Sequence, residues 1–153
     1  MDEIDREILQ LLQGDASLSA REVADAVGLT ATPCWRRIQS LEKAGIIARR
    51  VALVDPATVN LAVTVLVEIR TNDHSATWLT GFQEAINRFP EVIEAYRTSG
   101  EVDYILKVVV PSIESFDRFY KALIEEVDLY DVRSVFVMEK MKQTTALPLS
   151  YVE

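Results

Sequence analysis

Two helix-starting signals stand back to back in residues 19–45, and this stretch constrains the chain more than any other. Ser19 and Glu22 have the S-x-x-E spacing, in which a hydroxyl and a carboxylate each satisfy one free backbone N–H of a first helical turn. Val23 and Val27 follow one turn apart, and Gly28 separates this short helix from a second, Thr30 to Ala44. Thr30 is the predicted N-cap of the second helix, Pro33 falls in its first turn where a missing N–H costs little, and Gly45 supplies the easy positive φ of a helix end. Cys34, Ile38 and Leu41 share a face that can bury, whereas Thr32, Arg36, Gln39 and Lys43 point elsewhere with Arg37 near their edge. Two short helices joined through a glycine make a helix-turn-helix, whose second helix enters a DNA major groove with its N-terminal residues leading.

The overall charge opposes this reading until its distribution is considered. The 153 residues carry a formal net charge of -8. Residues 30–50, however, hold Arg36, Arg37, Lys43, Arg49 and Arg50 against Glu42 alone, a local balance of +4. Residues 51–153 hold 9 basic and 16 acidic side chains. Such a split is expected when one part of a chain touches phosphate and the rest does not. The single cysteine, Cys34, excludes a disulfide within the chain and is expected to be a small buried packing residue. Asp2, Glu3 and Asp5 open the chain in place of a signal peptide's basic start, and no apolar run approaches the roughly 18–20 residues of a membrane span. The expected compartment is the cytoplasm.

Upstream, Ile4, Ile8, Leu11 and Leu12 form the stripe of a first helix over residues 2–13, ended by Gly14 and Asp15. Ile8 and Leu12 are expected to pack on Val23, Val27, Ile38 and Leu41 in a core small enough to lean on the residues after it. Residues 46–54 are β-branched and read as a strand, half of a wing beside the DNA helix. Asp55-Pro56 breaks it, so residues 1–54 form one domain, 55–60 a hinge and 61–153 a second domain. The period then changes from helical to alternating. Strands are predicted at 61–69, 92–98, 104–110 and 132–138. Helices are predicted at 76–89, carrying Leu79, Phe82, Ile86 and Phe89, and after Ser112, carrying Phe116, Phe119, Tyr120 and Leu123. The order β-α-β-β-α-β is the ferredoxin-like split unit, giving an α+β chain. Its helices cover one sheet face; the other keeps apolar side chains, and a homodimer packed sheet against sheet is the simplest cover.

Several segments, in this order, carry a resemblance: IDREIL, LTATPCWRRIQSLEKAGII, VDP, FPEVIEAYRTSGEVDYILKV and KQTTALPL. Over nearly its whole length the chain resembles the leucine-responsive and asparagine-operon regulator (Lrp/AsnC) family. The resemblance implies a winged helix-turn-helix joined to a ferredoxin-like domain that binds an effector and forms dimers, often assembled into octamers. It also implies amino acids or related metabolites as effectors. The chain departs from the family pattern at Thr30-Ala31, where Ser-Pro is frequent, at Trp35, where Leu or His is common, and at Gly100-Glu101, where Gly-Asp is common.

Arg36 and Arg37 are the expected main DNA contacts, by phosphate clamping and guanine-edge hydrogen bonds. Thr32 and Gln39 are candidates to reach bases or phosphates, and Thr30 and Pro33, at the N-terminal end of the helix, are further candidates for DNA contact. Arg21, Arg49 and Arg50 are candidates for phosphate, the last two equally readable as exposed strand charges. For the effector, the turn Thr98-Ser99-Gly100-Glu101-Val102-Asp103 offers backbone N–H groups to a carboxylate and Asp103 to an ammonium group; an ordinary hairpin turn is the alternative. The resemblance adds the last strand near Ser134, supplied by a neighbouring dimer. Glu101 and Asp103 do not form a convincing acid–base pair, His74 stands alone, and no phosphate-binding glycine motif occurs, so neither catalysis nor a cofactor is expected. Two rivals remain at this level: an enzyme or regulatory subunit built on the ferredoxin-like half, and a module whose helix-turn-helix binds only protein.

Overall fold

The computed structural model describes residues 1–152 of the chain, which divide into two compact units. The first takes Met1–Leu53 together with the tail from Met141; the second takes Val54–Lys140.

The first unit contains α1 (Glu3–Gly14), α2 (Ala20–Ala26) and α3 (Ala31–Lys43). Two of them begin with reciprocal caps. The Asp2 carboxylate accepts the Asp5 N–H at 2.8 Å while Asp5 accepts the Asp2 N–H, and Ser19 and Glu22 exchange the same pair of bonds, as their spacing predicts. Gly28 and Gly45 have φ of 70° and 73°, where a Cβ is strained, so each glycine sets the direction of the chain after its helix. Ile8, Leu9, Val23, Ala24, Cys34, Ile38 and Leu41 are buried together. Leu12 and Val27, expected in this core, pack on it while half-buried.

This small core leans on its own flanks. Ile47 and Leu149 pack against it. The tail is pinned to α1 by polar bonds: the Leu147 N–H donates to the Gln13 Oε1 at 2.6 Å, and Arg6 donates to the Val152 carbonyl at 2.8 Å. The expectation that residues 61–153 form one body is therefore corrected at the C-terminus, because residues 141–152 cluster with the helices. The expected strand over 46–54 is also absent: after the helix-ending turn these residues bend at 46–47 and form no regular element. A β-branched segment forms a ladder only where a neighbouring strand offers its N–H and C=O groups, and none of the described residues does so here.

The second unit follows the predicted order: β1 (Val63–Arg70), α4 (Ala76–Arg88), β2 (Val92–Arg97), β3 (Tyr104–Val110), α5 (Ile113–Glu126) and β4 (Asp131–Phe136). All pairings are antiparallel, in the order β2-β3-β1-β4. Ser75 and Ser112 cap their helices by accepting from Trp78 and Ser115. On the helix-covered face Val65, Val67, Ile69, Leu106 and Val108 are fully buried against Phe82, Phe119 and Leu123. Trp78 stacks on Phe82 at 5.1 Å, and Tyr104 lies 4.8 Å from the Phe82 ring, which places all three in the core. The alternate residues point to the open face. There Leu66, Ile105, Val109 and Val135 lie among the Lys107–Glu94 pair at 2.7 Å and the Arg133–Glu68 pair at 3.8 Å. Residues 55–61 are a hydrogen-bonded turn in which Leu61 donates to the Pro56 carbonyl at 2.8 Å.

Candidate nucleic-acid interface and effector turn

The buried stripe of α3 fixes what its other side can do. With Cys34, Ile38 and Leu41 inward, helical geometry sends Thr32, Arg36, Gln39 and Lys43 outward along one line, and all four are exposed. Thr30 occupies the N-cap position, but its side chain makes no capping bond. The four other α-helices among the described residues all bond their cap to the N–H of the third helical residue. In α3 that residue is Pro33, which has no N–H. The expected Thr30 cap is corrected for this reason, and the start of α3 has no side-chain capping bond among the described residues.

The basic residues separate into two groups. Arg37, expected beside Arg36 on DNA, turns toward α1 instead: its guanidinium meets the carboxylates of Asp2 and Asp5, each at 2.7 Å. Arg50 is likewise held inside the unit, by Glu42 at 3.1 Å and the Ala16 carbonyl at 3.3 Å, so it is not a free wing charge. Arg21, Arg36 and Arg49 are exposed and form no ion pair among the described residues. Gln39 donates to Glu42 at 2.8 Å across the exposed surface of α3.

The clasp has a pH signature. The Asp5 N–H, and next the Arg37 guanidinium, hold the Asp2 carboxyl below its usual range; the Ser19 hydroxyl and N–H do the same for Glu22. Both groups have a lower pKa folded than unfolded. Their stabilisation is therefore complete above the ordinary carboxylate range and is lost as pH falls through the lowered folded values. The melting temperature of the helical unit should drop below about pH 4. An Asp2→Asn, Glu22→Gln double variant should show a flatter dependence in circular-dichroism melts; an unchanged slope would show that these caps do not set it.

The hairpin 98–103 is closed by its own atoms. The Thr98 N–H donates to the Asp103 carbonyl at 2.8 Å, and the Thr98 hydroxyl donates to the Val102 carbonyl. Gly100 has φ of 139°, a conformation that favours glycine. Asp103 is engaged locally: its Oδ2 accepts the Thr71 N–H at 2.9 Å and so ties down the end of β1. Among the described residues, the N–H groups of Ser99, Gly100 and Glu101 donate to no backbone carbonyl. Ser134 is half-buried on β4 opposite Val67, hence on the helix-covered face. From the hairpin it lies two strand spacings across, at about 4.8 Å each, and further along the strand. Within one chain the turn and Ser134 do not converge on a single small ligand.

Comparison with known proteins identifies both units. Residues 64–147 match the Lrp/AsnC ligand binding domain family, and residues 1–48 match a winged helix-turn-helix DNA-binding family. The chain belongs to the Lrp/AsnC family. An Lrp/AsnC relative, the glutamate uptake regulatory protein of Zymomonas mobilis, is 48% identical over 149 residues, 97% of this chain and 91% of the relative. An AsnC family transcriptional regulator from Agrobacterium tumefaciens is 54% identical, with a TM-score of 0.97 over 100% of both chains. A transcriptional regulator of Neisseria meningitidis, solved in complex with L-methionine, is 31% identical with a TM-score of 0.95, covering 100% of this chain and 99% of its own. This Lrp/AsnC chain is accordingly a transcriptional regulator with a DNA-binding head and a ligand-binding domain. No helix among the described residues is long and apolar enough to cross a membrane.

Sequence reasoning missed two features of this family member. One is the tail's return to α1, whose only trace is the apolar pair Leu147 and Leu149 flanking Pro148. The other is Trp35, which stands 52% exposed on α3.

Proposed function

We propose that this Lrp/AsnC protein represses or activates transcription by placing α3 of each head in a major groove, two heads of a dimer reading paired half-sites. Thr32, Arg36 and Gln39 face base edges and phosphates, and Thr30 with the first backbone N–H groups of α3 takes a phosphate. Arg21 and Arg49 bind flanking phosphates. The observation that carries this reading is the outward line Thr32–Arg36–Gln39–Lys43 on a helix whose N-terminus Pro33 leaves uncapped. The open sheet face, with its mix of aliphatic side chains and ion pairs, supports a homodimer built sheet on sheet, and four dimers form the octamer.

The effector is an amino acid. The L-methionine complex of the Neisseria regulator supports that class, and the N–H groups of Ser99, Gly100 and Glu101 suit its carboxylate. Because Ser134 lies across the sheet from the hairpin, the site is completed between subunits, Thr98 to Asp103 of one facing β4 of a neighbour. An effector alters DNA affinity only if it binds one assembly more tightly than another.

Fluorescence anisotropy with duplex DNA from upstream of the protein's own gene tests this, with and without L-methionine and pooled amino acids. Salt-sensitive, sequence-selective binding that shifts with one pool is expected. Salt-insensitive or absent binding would return the helix-turn-helix to a protein-binding role.

A further inference from the structure

We propose that Trp35 is a DNA-reading residue whose indole packs against the C5 methyl group of a thymine in the major groove. The inference rests on the DNA-binding reading of α3 and adds the apolar half of its recognition chemistry.

Three observations carry it. Trp35 is 52% exposed, whereas Cys34, Ile38 and Leu41 on the same helix are buried. Among the described residues it joins neither hydrophobic cluster and no aromatic pair, in contrast to Trp78, which stacks on Phe82 and donates its indole N–H to the Asp128 carbonyl at 3.1 Å. It also sits three residues after Thr32, beside Arg36 and four before Gln39. At about 100° per residue its side chain leaves the helix roughly 40° from Gln39 and 60° from Thr32. A helix that enters the groove on those residues brings the indole in with them.

The chemistry selects the partner. Thr32, Arg36, Gln39 and Lys43 supply hydrogen bonds and charge to the groove, and none offers a broad apolar surface. The thymine methyl is the apolar group that a base pair displays on its major-groove edge. A planar indole at the flank of the line covers such a methyl without competing for the hydrogen-bonding atoms beside it. The contact discriminates thymine from cytosine and leaves the number of phosphate contacts unchanged.

The test replaces each thymine of the bound duplex, one at a time, by deoxyuridine, which removes only the methyl. Binding is measured for the wild-type protein, Trp35→Phe and Trp35→Ala. At one position per half-site the wild type should bind the deoxyuridine duplex about fourfold more weakly, the scale of one buried methyl. Trp35→Ala should bind both duplexes equally there, with a lower affinity for the thymine form and an unchanged salt slope. Trp35→Phe should keep part of the preference. Identical deoxyuridine profiles in wild type and Trp35→Ala would overturn the assignment, as would full affinity and selectivity in Trp35→Ala. A Trp35→Ala variant that alters oligomeric state while binding DNA normally would move Trp35 to a protein contact and also overturn it. These outcomes leave the DNA reading standing when Arg36→Ala still weakens binding and lowers its salt slope. Absence of salt-sensitive binding by the wild type would remove both. Because Trp35 lies outside the core, circular dichroism should show all variants folded.

Discussion

Ile8→Ala should unfold the helical unit and leave the sheet unit intact. Ile8 is fully buried at the meeting point of α1, α2 and α3. Truncating a buried isoleucine to alanine costs about 2–5 kcal/mol, from lost transfer energy and the cavity left behind. A core of seven buried side chains, four of them Ile or Leu, has little reserve against that loss. The second unit has its own core, centred on Phe82, Leu106 and Leu123, which does not include Ile8. Cys34 provides the readout. It is fully buried, and that burial pushes its thiol pKa up, so it should resist thiol reagents until the helices open. In Ile8→Ala, Cys34 should label rapidly at 25 °C while the near-ultraviolet signal of the packed Trp78, Phe82 and Tyr104 persists. Slow labelling equal to wild type would show that the helical core withstands the truncation, and joint loss of both signals would show that the two cores do not behave independently.

Arg36→Ala and Arg37→Ala should fail in different ways although the residues are adjacent. Arg36 is exposed on the outward line of α3 and has no ion-pair partner among the described residues. Its removal should weaken DNA binding by about 1–3 kcal/mol, roughly 5- to 150-fold, and with one phosphate bond fewer the salt slope should fall by about 1. The melting temperature should stay near wild type. Arg37 holds Asp2 and Asp5 at the start of α1. Arg37→Ala should lower the melting temperature of the helical unit and leave the salt slope of binding unchanged at temperatures where the unit is folded. Equal loss of salt slope in both variants would place Arg37 on the DNA after all.

The difference between these two arginines marks where sequence reading stops. Periodicity located α1, α3, α4 and four strands within a residue or two, and the caps located the starts of α2 and α5, because burial of one face and capping are local properties of the pattern. The capping boxes at Asp2 and Ser19 are short-range too, and the second was legible as S-x-x-E. Arg37, in contrast, is assigned by two carboxylates 32 and 35 residues earlier in the chain. Helical phase sets Arg37 at the edge of the outward line, but it does not supply the distant carboxylates toward which the residue turns. The Thr30 cap failed for a reason that was present in the sequence, since Pro33 occupies the donor position. The strand expected over 46–54 failed because β-propensity is fulfilled only by a neighbouring strand. In the hairpin, Gly100 was readable as a turn glycine, while the bond from Thr71 to Asp103 spans 32 residues and was not.

The return of the tail to α1 also bears on how such proteins can be recombined. The head is assembled from both ends of the chain, with Gln13 holding Leu147 and Arg6 holding Val152. A hybrid regulator made by a single crossover near residue 54 would join one parent's α1 to the other parent's tail, and these bonds and the Leu149 packing would have to survive the mismatch. Two crossovers, near residues 54 and 141, move the head as a whole. In the divergence of homologues, substitutions on the outer surface of α1 and in the last dozen residues should therefore change together, despite being separated by almost the full length of the gene.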